Sequence, residues 1–220
     1  MARTINTPIS DLRHIRDLME RSRYFIGLSG LSGVGAGVSA LLGVLAIFTY
    51  GWVSDHPVTY VPDQLGLSSV HPWGIAPVPF LFCVATLVLT GALASGFYFT
   101  NRRVVRMGHE FAHPRTYKLL TNLALPLAIG GVFCLALIYH GNGGLIGPTT
   151  IIFYGLALLN GSNFVSEELR LLAYLEIGLG LVALFFPSYG LFFWGVGFGL
   201  LHIVYGLWMY SKYDTNEQGR

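Results

Sequence analysis

The sequence predicts an all-α fold: a polytopic membrane protein of six transmembrane helices, both termini cytoplasmic, with a short amphipathic helix ahead of the first span. Three observations predict it. Of 220 residues, 53% are hydrophobic and 11% charged, against about 25% charged in a soluble domain, so the chain is too poor in charge to cover a water-facing surface. The apolar residues come in long blocks, which is the membrane pattern. The thirteen Lys and Arg residues segregate completely between alternate loops.

Taken in order, residues 1–24 form a basic cytoplasmic segment. Ser10 is suited to cap a helix, with Asp11 in its first turn. Leu12, Ile15, Leu18 and Met19 then share one face, and Arg13, Arg16, Asp17 and Glu20 lie mostly elsewhere. Such a helix either lies on the inner leaflet or docks against the cytoplasmic loops. No cleavable signal peptide is expected, because the first apolar run begins near Phe25, behind charge, and is long enough to span.

Residues 25–211 form one transmembrane domain with spans near 25–50, 76–99, 119–139, 147–164, 169–186 and 190–210, each close to the ~20 residues a crossing needs. The fourth is the shortest, and its end is polar through Asn160, Ser162 and Asn163. The fifth and sixth are split by Pro187, Ser188, Tyr189 and Gly190, which is turn chemistry and predicts a tight helical hairpin. Residues 212–220 form a tail.

Charge sets the orientation. Arg3, Arg13, Arg16, Arg21 and Arg23 precede the first span, and Arg102, Arg103, Arg106, Arg115 and Lys118 lie between the second and third. Arg170 marks the next inner loop, and Lys212 and Arg220 follow the last span. The other loops hold none, which places both termini inside; five or seven spans would break the separation. The external loop 51–75 carries Trp52, Tyr60 and Trp73 as interfacial anchors. Its Asp55, His56, Asp63 and His71 match no metal-ligand spacing.

The first span holds two small-residue ridges, Ser29, Gly33, Gly37 and Gly35, Ser39, Gly43. Positions two apart on a helix differ by ~200°, so the ridges face nearly opposite ways and permit close backbone approach on both sides. That predicts a central first helix, with a dimer contact through one ridge as the alternative. Gly195 and Gly199 repeat the device in the sixth span.

Candidate chemistry is sparse. His109-Glu110-Phe111-Ala112-His113 matches HExxH, the pattern in which two histidines share a helix face, bind zinc and leave the Glu as general base. Glu167 or Glu168 could supply a third ligand. Pro114 opposes helical backbone at His113, and the surrounding arginines oppose a dication, so no metal or other cofactor is expected. Cys83 and Cys134 sit in apolar runs as packing residues.

The intramembrane polar residues carry more. Glu176 is the deep carboxylate and His202 the deep histidine, twelve residues before and fourteen after Ser188. At ~1.5 Å per residue they share a depth, and the cost of a lone carboxylate in hydrocarbon predicts that they pair. Tyr205 follows His202 by one turn. Asn122, Asn160 and Asn163 lie at the inner ends of their spans and are expected to line the same inner half. The group is a polar clasp holding the last two helices in register, a proton-linked or ligand-binding site, or, third, Glu176 alone at a lipid or dimer interface.

The stretches Leu123-Ala124-Leu125-Pro126-Leu127, Tyr139-His140-Gly141, Phe153 to Ser162, and Leu200-Leu201-His202-Ile203-Val204-Tyr205-Gly206 resemble a group of uncharacterised bacterial six-helix integral membrane proteins. The start running into Gly27-Leu28-Ser29-Gly30-Leu31-Ser32-Gly33 is similar too. The resemblance implies a bacterial inner-membrane protein and no activity. More distantly, the Gly180-to-Gly206 hairpin is similar to those of HdeD-like membrane proteins. The leading expectation is a non-enzymatic scaffold, sensor or regulatory subunit. Its partners are the lipid bilayer and a second copy or a cytoplasmic protein, with no nucleic acid. A small proton-linked transporter or channel using Glu176 and His202 is the alternative, and a zinc hydrolase ranks third.

Overall fold

A computed structural model describes residues 29–54, 74–106, 114–163 and 167–214. The expected helix at 10–23, most of the external loop, the His109–His113 motif and the end of the tail lie outside the described residues. The described residues are almost wholly helical, with no strand among them. They form α1 (Gly30–Ser54), α2 (Pro77–Arg106), α3 (Pro114–Tyr139), α4 (Ile146–Ser162), α5 (Glu167–Leu184) and α6 (190–214). Helix α6 is composite: an α-turn at Gly190–Trp194, a wider π-helical stretch at Gly195–Leu201, α-helix at His202–Met209, and a π-helical end at Tyr210–Asp214.

Five stretches are long and apolar enough to cross a membrane: Gly30–Val53, Pro77–Arg103, Tyr117–Tyr139, Gly143–Ser162 and Pro187–Lys212. Helix α5 is eighteen residues long and carries Glu167, Glu168, Arg170 and Glu176. At ~1.5 Å per residue it measures ~27 Å, close to the ~30 Å hydrocarbon core. By length and composition these helices are compatible with a membrane protein. Large apolar side chains cover their outer faces, among them Leu87, Leu93 and Phe97 of α2 and Val132 and Leu135 of α3. Soluble proteins rarely expose continuous apolar surface on that scale.

Local sequence explains where the helices stop and start. Helix α2 runs past its apolar stretch to Arg106, because Asn101, Arg102 and Arg103 break nothing in the backbone ladder. Helix α3 opens on Pro114, where a missing N–H is harmless. It ends at Gly141, whose φ of 73° is open to glycine. There Asn142 N–H donates to Leu137 O at 2.8 Å and Gly141 N–H to Ile138 O at 3.0 Å, a Schellman close. Between α5 and α6 the chain turns through the short 3-10 helix Pro187–Tyr189.

Lipid tails are as apolar as leucine, so close packing and hydrogen bonds must hold such helices together. Helix α1 lies between α2 and α6. Its ridge of Gly33 and Gly37 meets α6: a methyl built on Gly33 would lie 3.2 Å from His202 O, and one on Gly37 2.6 Å from Gly199 O. From the other side, a methyl on Gly206 would lie 2.6 Å from Gly30 O and 2.7 Å from Val34 N. Gly35 and Gly43 face α2, against Ser95 and Val88, and Ser39 fills the space beside Gly91. The spacing of small residues in α1 thus becomes two opposite interfaces. Ser29, at the head of the first ridge, is itself buried. Of the two α6 glycines named from sequence, Gly199 meets Leu41 of α1 and Gly195 meets Val44 of α1.

The other half of the bundle is built on α4, which packs against both α3 and α5. Its contact with α5 is reciprocal. Gly155 of α4 makes room for Ile177 of α5, and Gly180 of α5 makes room for Ile152 of α4. Helix α6 closes onto this pair at the hairpin end, where Gly147 meets the backbone of Gly190. It is therefore the element that joins the α1–α2 half to the α3–α4–α5 half.

Candidate functional site

Helix α5 brings Glu176 to the middle of the bundle and α6 brings His202 to the same level. Glu176 Oε1 lies 3.4 Å from His202 Nδ1. Both side chains are closed off: Glu176 is 0% exposed and His202 5%. The depth match counted from the hairpin turn therefore corresponds to an actual meeting of the two groups.

The histidine has two closer partners. Its Nδ1 is 3.0 Å from the carbonyl oxygen of Gly197, and its Nε2 is 2.7 Å from the hydroxyl of Tyr154 on α4. A carbonyl only accepts, so Nδ1 carries a hydrogen and donates to Gly197; this tautomer is assigned from the partners. In the neutral ring Nε2 then accepts from the Tyr154 hydroxyl. One imidazole thus ties three helices, through Tyr154 on α4, Glu176 on α5 and its own backbone on α6.

The wide turn at Gly195–Leu201 makes this possible. It lies directly ahead of His202 and contains the Gly197 carbonyl that the ring caps. Such turns within α-helices are uncommon and are found at functional sites more often than chance. Gly197 is also required for space, because a methyl there would lie 2.6 Å from Glu176 Oε2. The carboxylate fills the space a side chain at 197 would occupy. Rings enclose the histidine on its other side: Phe198 lies 4.9 Å from Tyr154 and 6.1 Å from His202, and Trp194 lies 4.9 Å from Phe198, centroid to centroid.

Glu176 is the anomaly. Both carboxylate oxygens are buried, and neither has a hydrogen-bond partner among the described residues. The hydrogen on His202 Nδ1, 3.4 Å from Oε1, is directed at Gly197. Buried polar groups are ordinarily satisfied, and an unpaired one is costly in a low-dielectric interior.

The remaining expected residues are placed as follows. Tyr205 packs beside Tyr154 against the buried cluster of Leu119, Leu158, Leu169, Leu172 and Ala173. The hydrogen bonds of the three asparagines go elsewhere than to the Glu176–His202 pair. Asn160 Nδ2 donates to the backbone oxygen of Asn122 at 2.9 Å, and Asn122 Nδ2 donates to Lys118 O at 2.7 Å. Asn163 Oδ1 accepts from Arg170 at 3.1 Å at the exposed end of α4.

The Asn160 bond has a cause in the sequence. Pro126 sits four residues after Asn122 inside α3, and a proline has no N–H to give the carbonyl four residues back. Asn160, reaching from α4, supplies the missing donor. Neighbouring helices commonly repair proline breaks in this way inside a membrane. At the same end of the bundle, Lys212 of α6 pairs with Glu168 of α5.

Sequence reasoning did not single out Tyr154. The signal was a lone hydroxyl-bearing aromatic at the middle of an apolar span, one helix away from an unpaired histidine. It also did not find the Gly197 carbonyl, because the π-helical turn that presents it leaves no mark in hydrophobic periodicity. Among the described residues, no group of three or more His, Cys, Asp or Glu side chains is placed to hold a metal ion. No protein family, curated protein or solved structure matches the chain.

Proposed function

We propose that this is a bacterial inner-membrane protein of six crossings with both termini cytoplasmic, acting without catalysis as a scaffold, sensor or regulatory subunit. The observation that carries the reading is the closure of its polar centre. Glu176 is 0% exposed and His202 5%, and the glycine and aromatic neighbours leave the two side chains in direct contact. A substrate site needs a concave space with convergent polar groups. Here the polar groups converge on one another. The loop charges support the orientation, and Arg102, Arg103, Lys118, Arg170 and Lys212 form a basic inner face suited to anionic lipid or a cytoplasmic partner.

The test has two parts. A fluorescent protein fused to the C-terminus should fold and fluoresce on the cytoplasmic side; a dark fusion opposes the orientation. The full chain, solubilised in mild detergent, should self-associate or retain a partner. A strictly monomeric, partner-free species would count against the scaffold and regulatory role.

One observation favours a second reading, a small proton-linked transporter. Both oxygens of a fully buried carboxylate lack a donor among the described residues, which is the condition of a proton-carrying intramembrane acid. That reading requires pH-dependent flux from liposomes, lost in Glu176→Gln.

A further inference from the structure

The unpartnered carboxylate has one simple resolution. A carboxylate accepts only, whereas a protonated carboxyl carries its own O–H donor and no net charge. His202 from α6 reaches Glu176 directly, Tyr154 from α4 is bonded to the far side of that ring, and Tyr205 of α6 packs with Tyr154 on the same buried cluster. Among the described residues His202 is its ion-pair partner, and that ring's Nδ1–H is engaged by Gly197 O at 3.0 Å. Its Nε2 is engaged by Tyr154 at 2.7 Å. Among the described residues around Glu176, an imidazole held neutral by these two partners does not neutralise an anion.

We propose that Glu176 is a proton-binding site: the packed bundle holds the proton on its carboxyl, and release of that proton rearranges the wide turn of α6. The inference rests on the closed-centre reading and deepens its sensor branch by naming the ligand as a proton. The step balances without any co-reactant. The O–H bond of Glu176 breaks, the proton leaves to water, and the electron pair stays on the carboxylate. The new anion then draws the Nδ1–H of His202 from Gly197 O at 3.0 Å toward Oε1, now 3.4 Å away. The ring stays neutral, with Tyr154 still donating to Nε2.

The consequence falls on α6. Gly197 O loses its side-chain donor inside the stretch Gly195–Leu201, and the wide turn that the ring capped is free to shift its backbone bonds. The backbone of that stretch is the surface α1 rests on. A methyl on Gly37 would meet Gly199 O at 2.6 Å, and one on Gly33 would meet His202 O at 3.2 Å. Contacts this tight pass a change of turn from α6 to α1 with no slack between them. The proton therefore sets the fit between the two halves of the bundle.

The experiment is infrared difference spectroscopy on the full chain in lipid bilayers at neutral pH. A neutral carboxylic acid has a C=O stretch separate from that of a carboxylate. The expected result is one such band, shifted when the wild-type protein is grown with 13C-glutamate and lost in Glu176→Gln, while Glu167→Gln and Glu168→Gln keep it. The isotope shift assigns the band to a glutamate without any substitution, and where Glu176→Gln fails to fold, loss of that isotope shift in Glu176→Asp assigns it to position 176. Absence of a glutamate band in the wild-type protein, or its survival in folded Glu176→Gln, overturns the proposal. The closed-centre reading fails differently: proton flux through liposomes would end it and leave the band in place.

Discussion

The two faces of α6 hold the bundle together by opposite means. Toward α1 the contact is made by absent side chains, with Gly33, Gly37 and Gly206 letting backbone touch backbone and Gly199 admitting the Leu41 side chain. Toward α4 and α5 it is made by side-chain chemistry, with His202 bonded to Tyr154 and facing Glu176. The first face has no tolerance for added atoms, since rigid backbone stands where a methyl would go. The second tolerates isosteres and is sensitive to lost donors and acceptors. Shape decides one interface, and proton inventory decides the other.

The comparison can be broken most forcefully at Gly206. A methyl there would lie 2.6 Å from Gly30 O and 2.7 Å from Val34 N, so Gly206→Leu should cost more than the ~3 kcal/mol at the upper end of ordinary overpacking. Loss of the folded, monodisperse species in detergent is the expected readout. Gly96→Ala and Gly131→Ala, which meet nothing within 4 Å, are the controls and should leave it unchanged.

Next is the polar face. His202→Ala strands the Gly197 carbonyl and the Tyr154 hydroxyl together, which should destabilise by about 1–3 kcal/mol in reversible unfolding from mixed micelles. Tyr154→Phe removes one bond and should cost less. No cost in Tyr154→Phe would mean that the ring acts by filling space alone.

A smaller effect is expected at Asn160. Asn160→Leu leaves the Asn122 carbonyl that Pro126 has already deprived of its helical donor. Interhelical hydrogen bonds in membranes average ~0.6 kcal/mol and reach ~1.7, and a loss toward the upper value is expected. The effect should shrink when Pro126→Ala restores the N–H. Additive losses in the double variant would refute the link between the two residues.

The smallest change belongs to Lys212→Ala. Lys212 is 45% exposed and its partner Glu168 14%, so solvent screens the pair from the lysine side and it is worth ~0–1 kcal/mol.

Much of the helical order was legible because hydrophobic blocks and the two ridges of α1 follow directly from helix geometry. The boundaries shifted where apolarity and helicity part: α2 continues through Arg103, and α3 begins at Pro114, five residues ahead of the expected span. The meeting of Glu176 and His202 could be counted from one hairpin. Tyr154 could not, since no short-range rule aligns α4 with α6. The shared placement expected of Asn122, Asn160 and Asn163 rested on depth alone, and depth does not say which way a side chain turns. Pro126 held the better clue, because a missing N–H names the carbonyl that needs a donor.

A polar centre that is a closed contact conducts no protons. The most direct measurement is proton flux into liposomes containing the full chain, driven by an imposed pH gradient and compared with protein-free vesicles and with Glu176→Gln. The predicted result is no flux above the protein-free rate for either protein. A pH-dependent flux in the wild-type protein that vanishes in Glu176→Gln would contradict it and make the centre a conducting path.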